Sequence, residues 1–462
     1  MKVKYQTYLR KFALLSLTGL FLRIYGGIYR LFLLRRFGPA PFGLIGMIFP
    51  FYRLLSLIIT MGLPTALVRL IAIEKTKHNT AWILQMKKKV SALVAATAFF
   101  LSLLVFIFSS RLGSLLYNDP RTGVLLRYFA LALNLNSLSL VYRSYFHGLD
   151  RMAPLALADL SESVGETLFI LPFLLSGQPA SFRTETGAQI LAGGYLCGEV
   201  TSLLLLFLYD RFQIRPRLTA TAGRTAAGPG RSLSSLLRSS FPWLAQELIL
   251  ACARIGESIL LPKLLTKGGL SPTEIAQQLG EYWEMATPLL FFPLLLFSPV
   301  STLILPATAR ATVKKDLTGY FRKLRPLLGI AFLYSLGVVF LLFKLATPLS
   351  LLLYKTTAAI RYLPFLLPAL PFLVMNNLLM PVVEGLGKQE FLLRATLILI
   401  LIKTGITAAF VPLPAFGLAG AAWGVTISQA LLFCLLLKET FLTAAAHCKW
   451  FFFFRSRHFP YF

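Results

Sequence analysis

Arg23, Arg30, Arg53 and Arg254 each interrupt a long apolar segment. A guanidinium keeps its proton at neutral pH. Placing one at the centre of a bilayer costs about 2.5–3.5 kcal/mol on insertion scales. Such a side chain is retained where it faces water inside the protein and meets an anion there. Its planar fork donates paired hydrogen bonds to phosphate oxygens, so a diphosphate suits it. The chemistry on offer is reversible capture of a negatively charged solute within the membrane. The competing reading is structural: ion pairs with nearby carboxylates, or snorkelling to an interface. Glu247 and Glu257 share the segment of Arg254, with Glu257 three residues after it.

Asp159, Glu162 and Glu166 follow one another at spacings of three and four, which puts them on one helix face. Like charges this close repel unless a proton, a metal cation or an arginine balances them. Two roles stay open: a coupling site for H⁺ or Na⁺, and counter-charge to the interior arginines. Glu199 and Glu384 are single carboxylates without a spacing partner. Arg127 and Lys403 read as near-end or packing charges. Tyr25, Tyr29, Tyr52, Gln246, Asn376 and Asn377 could meet sugar hydroxyls, or serve core packing.

Nothing in the chain points to catalysis. It has no GxxxxGK[ST], GxSxG or HExxH motif. His78, His147, His447 and His458 fall in loops or tails, and Cys197, Cys252, Cys434 and Cys448 lack ligand spacing. No enzyme activity, cofactor or metal is expected.

Long helices must position these charges. The chain is 56% apolar and only 14% charged, and its mean hydropathy is +0.72; soluble domains carry about 25% charge. Apolar runs near twenty residues recur throughout, as spanning helices require. The fold class is an all-α polytopic membrane protein. Twelve spans are expected, at 12–34, 41–67, 90–110, 123–145, 154–177, 187–209, 240–265, 284–308, 326–348, 362–385, 391–411 and 414–437. Gly26 and Gly27 in the first would permit a bend or a close helix approach. The net charge of +28 reads as topology-setting loop cations and contact with anionic lipid, and nucleic acid is not expected. The runs Lys75–Lys89, Arg211–Arg238 and Arg310–Arg325 fall on one side, which makes that side and both termini cytoplasmic.

The two halves repeat. Gly148-Leu149-Asp150-Arg151 matches Gly385-Leu386-Gly387-Lys388 at an offset of 237; Gly62–Ala66 parallels Ile304–Thr308 at 242; Leu191–Gly193 recurs as Leu418–Gly420 at 227. Six spans per half make this a parallel repeat about a membrane-normal axis, with a central cavity between two six-helix lobes. The lobes are expected at 1–238, with the polar linker Arg211–Ser240, and at 239–462, with the basic aromatic tail Lys449–Phe462.

The stretches 42–72, 142–162, 259–293, 303–311 and 416–429 carry a resemblance. In that order they resemble the multidrug/oligosaccharidyl-lipid/polysaccharide exporter (MOP) superfamily. Within it the chain is most similar to the polysaccharide-biosynthesis flippases related to stage V sporulation protein B, and more remotely to MurJ-type lipid II flippases. One departure stands out: after the Met-x-Pro element the family often has a Glu-Gln pair followed by Arg. Here DLSESVGETLF has Glu162 and Glu166 with no neighbouring Arg.

The resemblance implies a multi-pass flippase of the bacterial cytoplasmic membrane. It would move an undecaprenyl-pyrophosphate-linked saccharide outward by alternating access, for cell-wall or spore-cortex peptidoglycan. Implied partners are that lipid-linked saccharide, anionic membrane lipids and cell-wall synthesis enzymes, with the chain acting as a monomer. A cation-coupled multidrug exporter of the same superfamily is the alternative, and a non-transporting scaffold is a third.

Overall fold

The computed structural model describes residues 21–22, 24–176, 183–216, 218, 233–314 and 316–447. Arg23, Cys448, His458, the middle of the linker and the tail from Lys449 lie outside them. The described residues are helical, without strands: α1 (24–37), α2 (Pro39–Thr60), α3 (Leu63–Thr76), α4 (Thr80–Tyr117), α5 (Arg121–Gly148), α6 (Ala153–Leu175), α7 (Thr184–Tyr209) and α8 (Leu233–Lys267). There follow α9 (Pro272–Leu296), α10 (Ser298–Lys314), α11 (Leu317–Tyr354), α12 (Leu363–Gly385), α13 (Gln389–Phe410) and α14 (Leu418–His447). Within the described residues each expected span falls on helix, the first from residue 21 onward and the second with a break at Met61–Gly62.

Among the described residues, eight helices are long and apolar enough to cross a membrane, and nine if the bent pair α9–α10 counts as one span. α6 falls short because Asp159, Glu162 and Glu166 lower its hydropathy. α4 and α11, at 38 residues each, run about 57 Å and outreach a hydrocarbon layer of about 30 Å.

Packing divides the chain into two compact units: Met1–Lys263 with Pro272–Gly280, and Leu264–Ser271 with Glu281–Phe462. The duplication boundary proposed at 238/239 falls inside α8. In the first unit α6 packs on α7, α4 on α5, and α5 on α7 and α2. The start of α9 crosses α2 through glycines: a Cβ on Gly43 would lie 1.8 Å from Ala276 O, and one on Gly280 would lie 1.9 Å from Pro39 O. In the second unit α13 packs on α14, α10 on α12, and α12 on α14. Its core joins Leu379, Val383, Ala395, Leu399, Leu432 and Leu436.

The repeat is visible in the backbone. Asn79 caps α4 by accepting from Trp82 N, and Asp316 caps α11 by accepting from Gly319 N. The two helices end on left-handed residues, Asn118 and Lys355, whose N–H groups return to Ser114 O and Leu351 O. After α5, the N–H groups of Leu149, Asp150 and Arg151 donate to Tyr145, His147 and Phe146. After α12, those of Leu386, Gly387 and Lys388 donate to Val382, Glu384 and Val383. Gly148 abuts Ile71 and Val68, while Gly385 abuts Thr308 and Leu305. All these pairs are 237 positions apart.

That register corrects two of the sequence matches. Leu305 answers to Val68, so Ile304–Thr308 is not the counterpart of Gly62–Ala66. The second expected span is in fact broken: α2 ends at Met61 (φ 49) and α3 restarts after Gly62 (φ 67). Its equivalent is the 51° bend between α9 and α10 around Phe297. Gly194 packs on Ile170 and Glu166 as Gly424 packs on Thr407 and Lys403; α7 and α14 are thus offset by 230 rather than 227. A third correction concerns α1. It runs unbroken through Gly26 and Gly27, and a Cβ at either would meet no described atom within 4 Å.

Candidate functional site

The first unit carries a polar network inside apolar helices. Arg143 on α5 is its cationic centre. It pairs with Asp159 through NH1 and with Glu162 through NH2 at 2.9 Å. It also donates to Ser202 at 3.0 Å and Ser139 at 3.3 Å. The basic partner missing from the local sequence of α6 therefore arrives from the preceding helix. The structural pairing expected for Asp159 and Glu162 uses Arg143, not the four arginines singled out by sequence. One signal could have found it: Arg143 lies inside the expected span 123–145 and was the one arginine there left without a role.

A second branch of the network surrounds Glu199, which is 2% exposed. Asn136 Nδ2 donates to its Oε1 at 2.7 Å, and Tyr195 Oη lies 2.9 Å from the same oxygen. Ser56 donates to Asn136 Oδ1 at 3.2 Å. Tyr52 Oη lies 3.1 Å from Tyr195 Oη. Tyr52 is buried among Phe49, Phe129 and Tyr195, so it packs the core and offers no face to a sugar. These polar groups sit on α2, α5 and α7, too far apart in sequence for spacing to link them.

The singled-out arginines fall differently. Arg53 on α2 is exposed, with its guanidinium 5.3 Å from the Phe49 ring centre. It lies 14 residues into α2, about 21 Å from the helix start, and within electrostatic reach of Glu199. Among the described residues it forms no ion pair. Arg30 on α1 is exposed and acts electrostatically on Glu166. Arg254 on α8 is exposed, and Glu247 and Glu257 are half-buried on the same helix. Arg254 forms no ion pair among the described residues. Arg23 lies outside the described residues. On α1, Tyr25 stacks on Tyr29 at 5.7 Å and bonds Thr167 of α6 at 2.6 Å.

The remaining polar groups are structural. Arg127 donates to Ser109 and Ser110 across α4 and α5. Asn376 holds α12 to α14 through Gln429 O and Oε1 at 2.9 and 2.8 Å. Asn377 O accepts from Ser301. Cys197 is half-buried, and Cys252 and Cys434 are exposed. No group of three or more His, Cys, Asp or Glu among the described residues could hold a metal ion.

The ionic residues of the network are not repeated at the equivalent positions of the second unit. At the register of the repeat, Met380 stands for Arg143, Leu399 for Glu162 and Lys403 for Glu166. The chemistry is thus concentrated in one half of a symmetric scaffold.

Residues 8–312 match the model of the polysaccharide biosynthesis protein family. Stage V sporulation protein B of Bacillus subtilis (strain 168) is 23% identical over 429 residues, covering 92% of this chain and 82% of that protein. An inward-facing multidrug resistance MATE family transporter of the MOP superfamily superposes with a TM-score of 0.69 at 17% identity, covering 91% of this chain and 94% of that one. Lipid II flippase MurJ, in an inward closed conformation, superposes with a TM-score of 0.61 at 15% identity, covering 94% and 90%. With two thirds of its length matched, the chain belongs to the polysaccharide biosynthesis protein family, and its fold is similar to that of the MATE and MurJ structures.

Proposed function

We propose that the chain is a flippase for a lipid-linked saccharide in the bacterial cytoplasmic membrane. The substrate is an undecaprenyl-pyrophosphate-linked saccharide of the lipid II type. It moves from the inner to the outer leaflet for cell-wall or spore-cortex synthesis. Arg53 carries the reading: an exposed guanidinium, deep along an apolar helix, with no carboxylate in ion-pair contact among the described residues. A lipid-exposed position there would cost about 2.5–3.5 kcal/mol. A watery niche that receives a diphosphate removes that cost. Arg30, Arg254 and Arg23 are the further diphosphate contacts in this scheme. The prenyl tail stays in lipid while the headgroup site is exposed to each leaflet in turn.

The name of one structural neighbour, lipid II flippase MurJ, and the polysaccharide biosynthesis family support the substrate class. The chain encodes no nucleotide-binding motif, so membrane potential, an ion gradient or product removal supplies the drive. An inside-negative potential favours outward movement of an anion by about 2.3 kcal/mol per charge per 100 mV. The test is rescue of a strain depleted of its lipid II flippase. Wild type should rescue; Arg53→Ala should not, at equal membrane abundance. Equal rescue by Arg53→Ala overturns the assignment of that residue, and no rescue by wild type overturns the lipid II class.

One observation favours a second reading. Asp159, Glu162, Glu166 and Glu199 place four carboxylates in the first unit, which suits cation-coupled drug export. Proton-gradient-dependent dye efflux from vesicles, abolished by Glu162→Gln, would replace the flippase reading.

A further inference from the structure

At the end of the first unit that bears the Lys75–Lys89 cations, the chain forms an open cavity of about 500 Å³. Lys75, His78, Asp150 and Arg151 line it. So do the starts of two long helices, α4 at Thr80 and α6 at Ala153. Helix starts present unbonded N–H groups and partial positive charge. No side chain caps α6, and Thr80 Oγ1 is enclosed without a hydrogen-bond partner. Lys75 Nζ is fixed over the cavity by donating to Leu149 O at 2.7 Å. Two basic side chains and the uncapped start of α6 against one carboxylate select an anion.

A second concavity neighbours the first. A groove of about 430 Å³ runs between α6 and α7, lined by Leu157, Leu204, Leu205, Leu208 and Phe212. Tyr209 lines both spaces. Leu157, Leu204, Leu208 and Phe212 are all exposed. A polar anion cavity and an apolar trough on either side of one tyrosine have the form of a phospholipid: phosphate in one, acyl chain in the other.

We propose that this composite site binds an anionic glycerophospholipid with a hydroxyl-bearing headgroup, of the phosphatidylglycerol type. The phosphate lies against Lys75, Arg151 and the start of α6. Asp150 accepts from a headgroup hydroxyl, which a serine or choline headgroup cannot supply in the same way. One acyl chain lies along Leu204 and Leu208. The site stabilises the ends of α3 to α7 and is independent of the flippase assignment.

The test uses the full-length protein in detergent, read by native mass spectrometry and thermal unfolding. Phosphatidylglycerol, phosphatidylcholine, sn-glycerol 3-phosphate and inorganic phosphate are the probes. Phosphatidylglycerol should bind and raise the melting temperature, while phosphatidylcholine should not. Lys75→Ala/Arg151→Ala should weaken it at least tenfold. Leu204→Trp, which fills the groove without touching charge, should weaken it several-fold. Arg322→Ala/Lys323→Ala, an equal loss of charge in the second unit, should leave it unchanged. Should the Lys75 double variant fail to fold, Arg151→Gln and Leu204→Trp decide alone. Equal weakening by the Arg322 double variant reduces the effect to bulk electrostatics and overturns the site. Displacement of the lipid by glycerol phosphate or inorganic phosphate at similar concentration overturns the lipid assignment in favour of a soluble phosphate ligand.

Discussion

Arg143 balances two carboxylates with one charge, and its side chain is 20% exposed against 45% for Asp159 and 32% for Glu162. Losing one partner of a fully buried pair costs about 3–5 kcal/mol. Partial exposure here screens the pair, so Arg143→Met should lower unfolding stability by about 1–2 kcal/mol. Arg143→Met/Asp159→Asn should recover part of that loss, because fewer carboxylates then stand unbalanced; a denaturation cycle of the four proteins measures it. Arg143→Lys keeps the charge but loses the fork that reaches both acids, and should fall between. The clustering of Asp159, Glu162 and Glu166 was legible from helical spacing alone. Their partner was not, because helix periodicity reports neighbours on one element and says nothing about the facing one. Glu199 shows the same limit: its partners Asn136 and Tyr195 come from α5 and from one turn earlier on α7.

Helix crossings set where these side chains point. The α2–α9 crossing is tight enough that Gly43→Ala must push backbone from backbone, and overpacking of this kind costs about 1–3 kcal/mol. Gly26→Ala on α1 meets no described atom and removes only chain freedom, so it should leave the melting temperature unchanged or raise it slightly. Thermal unfolding of the two variants side by side checks the contrast. The turns after α5 and α12 offer a second comparison. Asp150 holds φ 57 where Gly387 holds φ 81. Asp150→Gly should relieve strain, and Gly387→Ala should add about 1 kcal/mol of it. The Gly-Leu-x-basic motif exposed these turns in the sequence, since a left-handed residue after a helix has a recognisable composition. Hydropathy did not show the break at Met61–Gly62, although Pro64 beside it marks a bend in the sequence. Gly62 and Pro64 interrupt an apolar run without shortening it, and hydropathy continues across the interruption.

Across the whole chain, the cation runs assign one face of the membrane, and single-cysteine labelling can check it. With Cys197, Cys252, Cys434 and Cys448 replaced by serine, cysteine at Lys75 or Arg322 should react with an impermeant reagent only in inverted vesicles. Cysteine at Arg361 should react only in intact cells. The reverse pattern inverts the topology, and with it the direction proposed for transport. Span positions were readable because lipid demands internally bonded helices; the repeat register was readable only at its turns, since apolar helix interiors interchange Leu, Ile, Val and Phe freely. From Val68 to Arg151, every backbone landmark keeps its distance from its counterpart in the second unit. A stretch with that property has accepted no net insertion or deletion since the two copies parted. Divergence was channelled into side chains instead, with Arg143 facing acids in one copy and Met380 standing at its place in the other. The two halves therefore share a backbone register from which their ionic chemistry is independent: the same turns and helix ends hold whether acids and an arginine or apolar side chains stand between them.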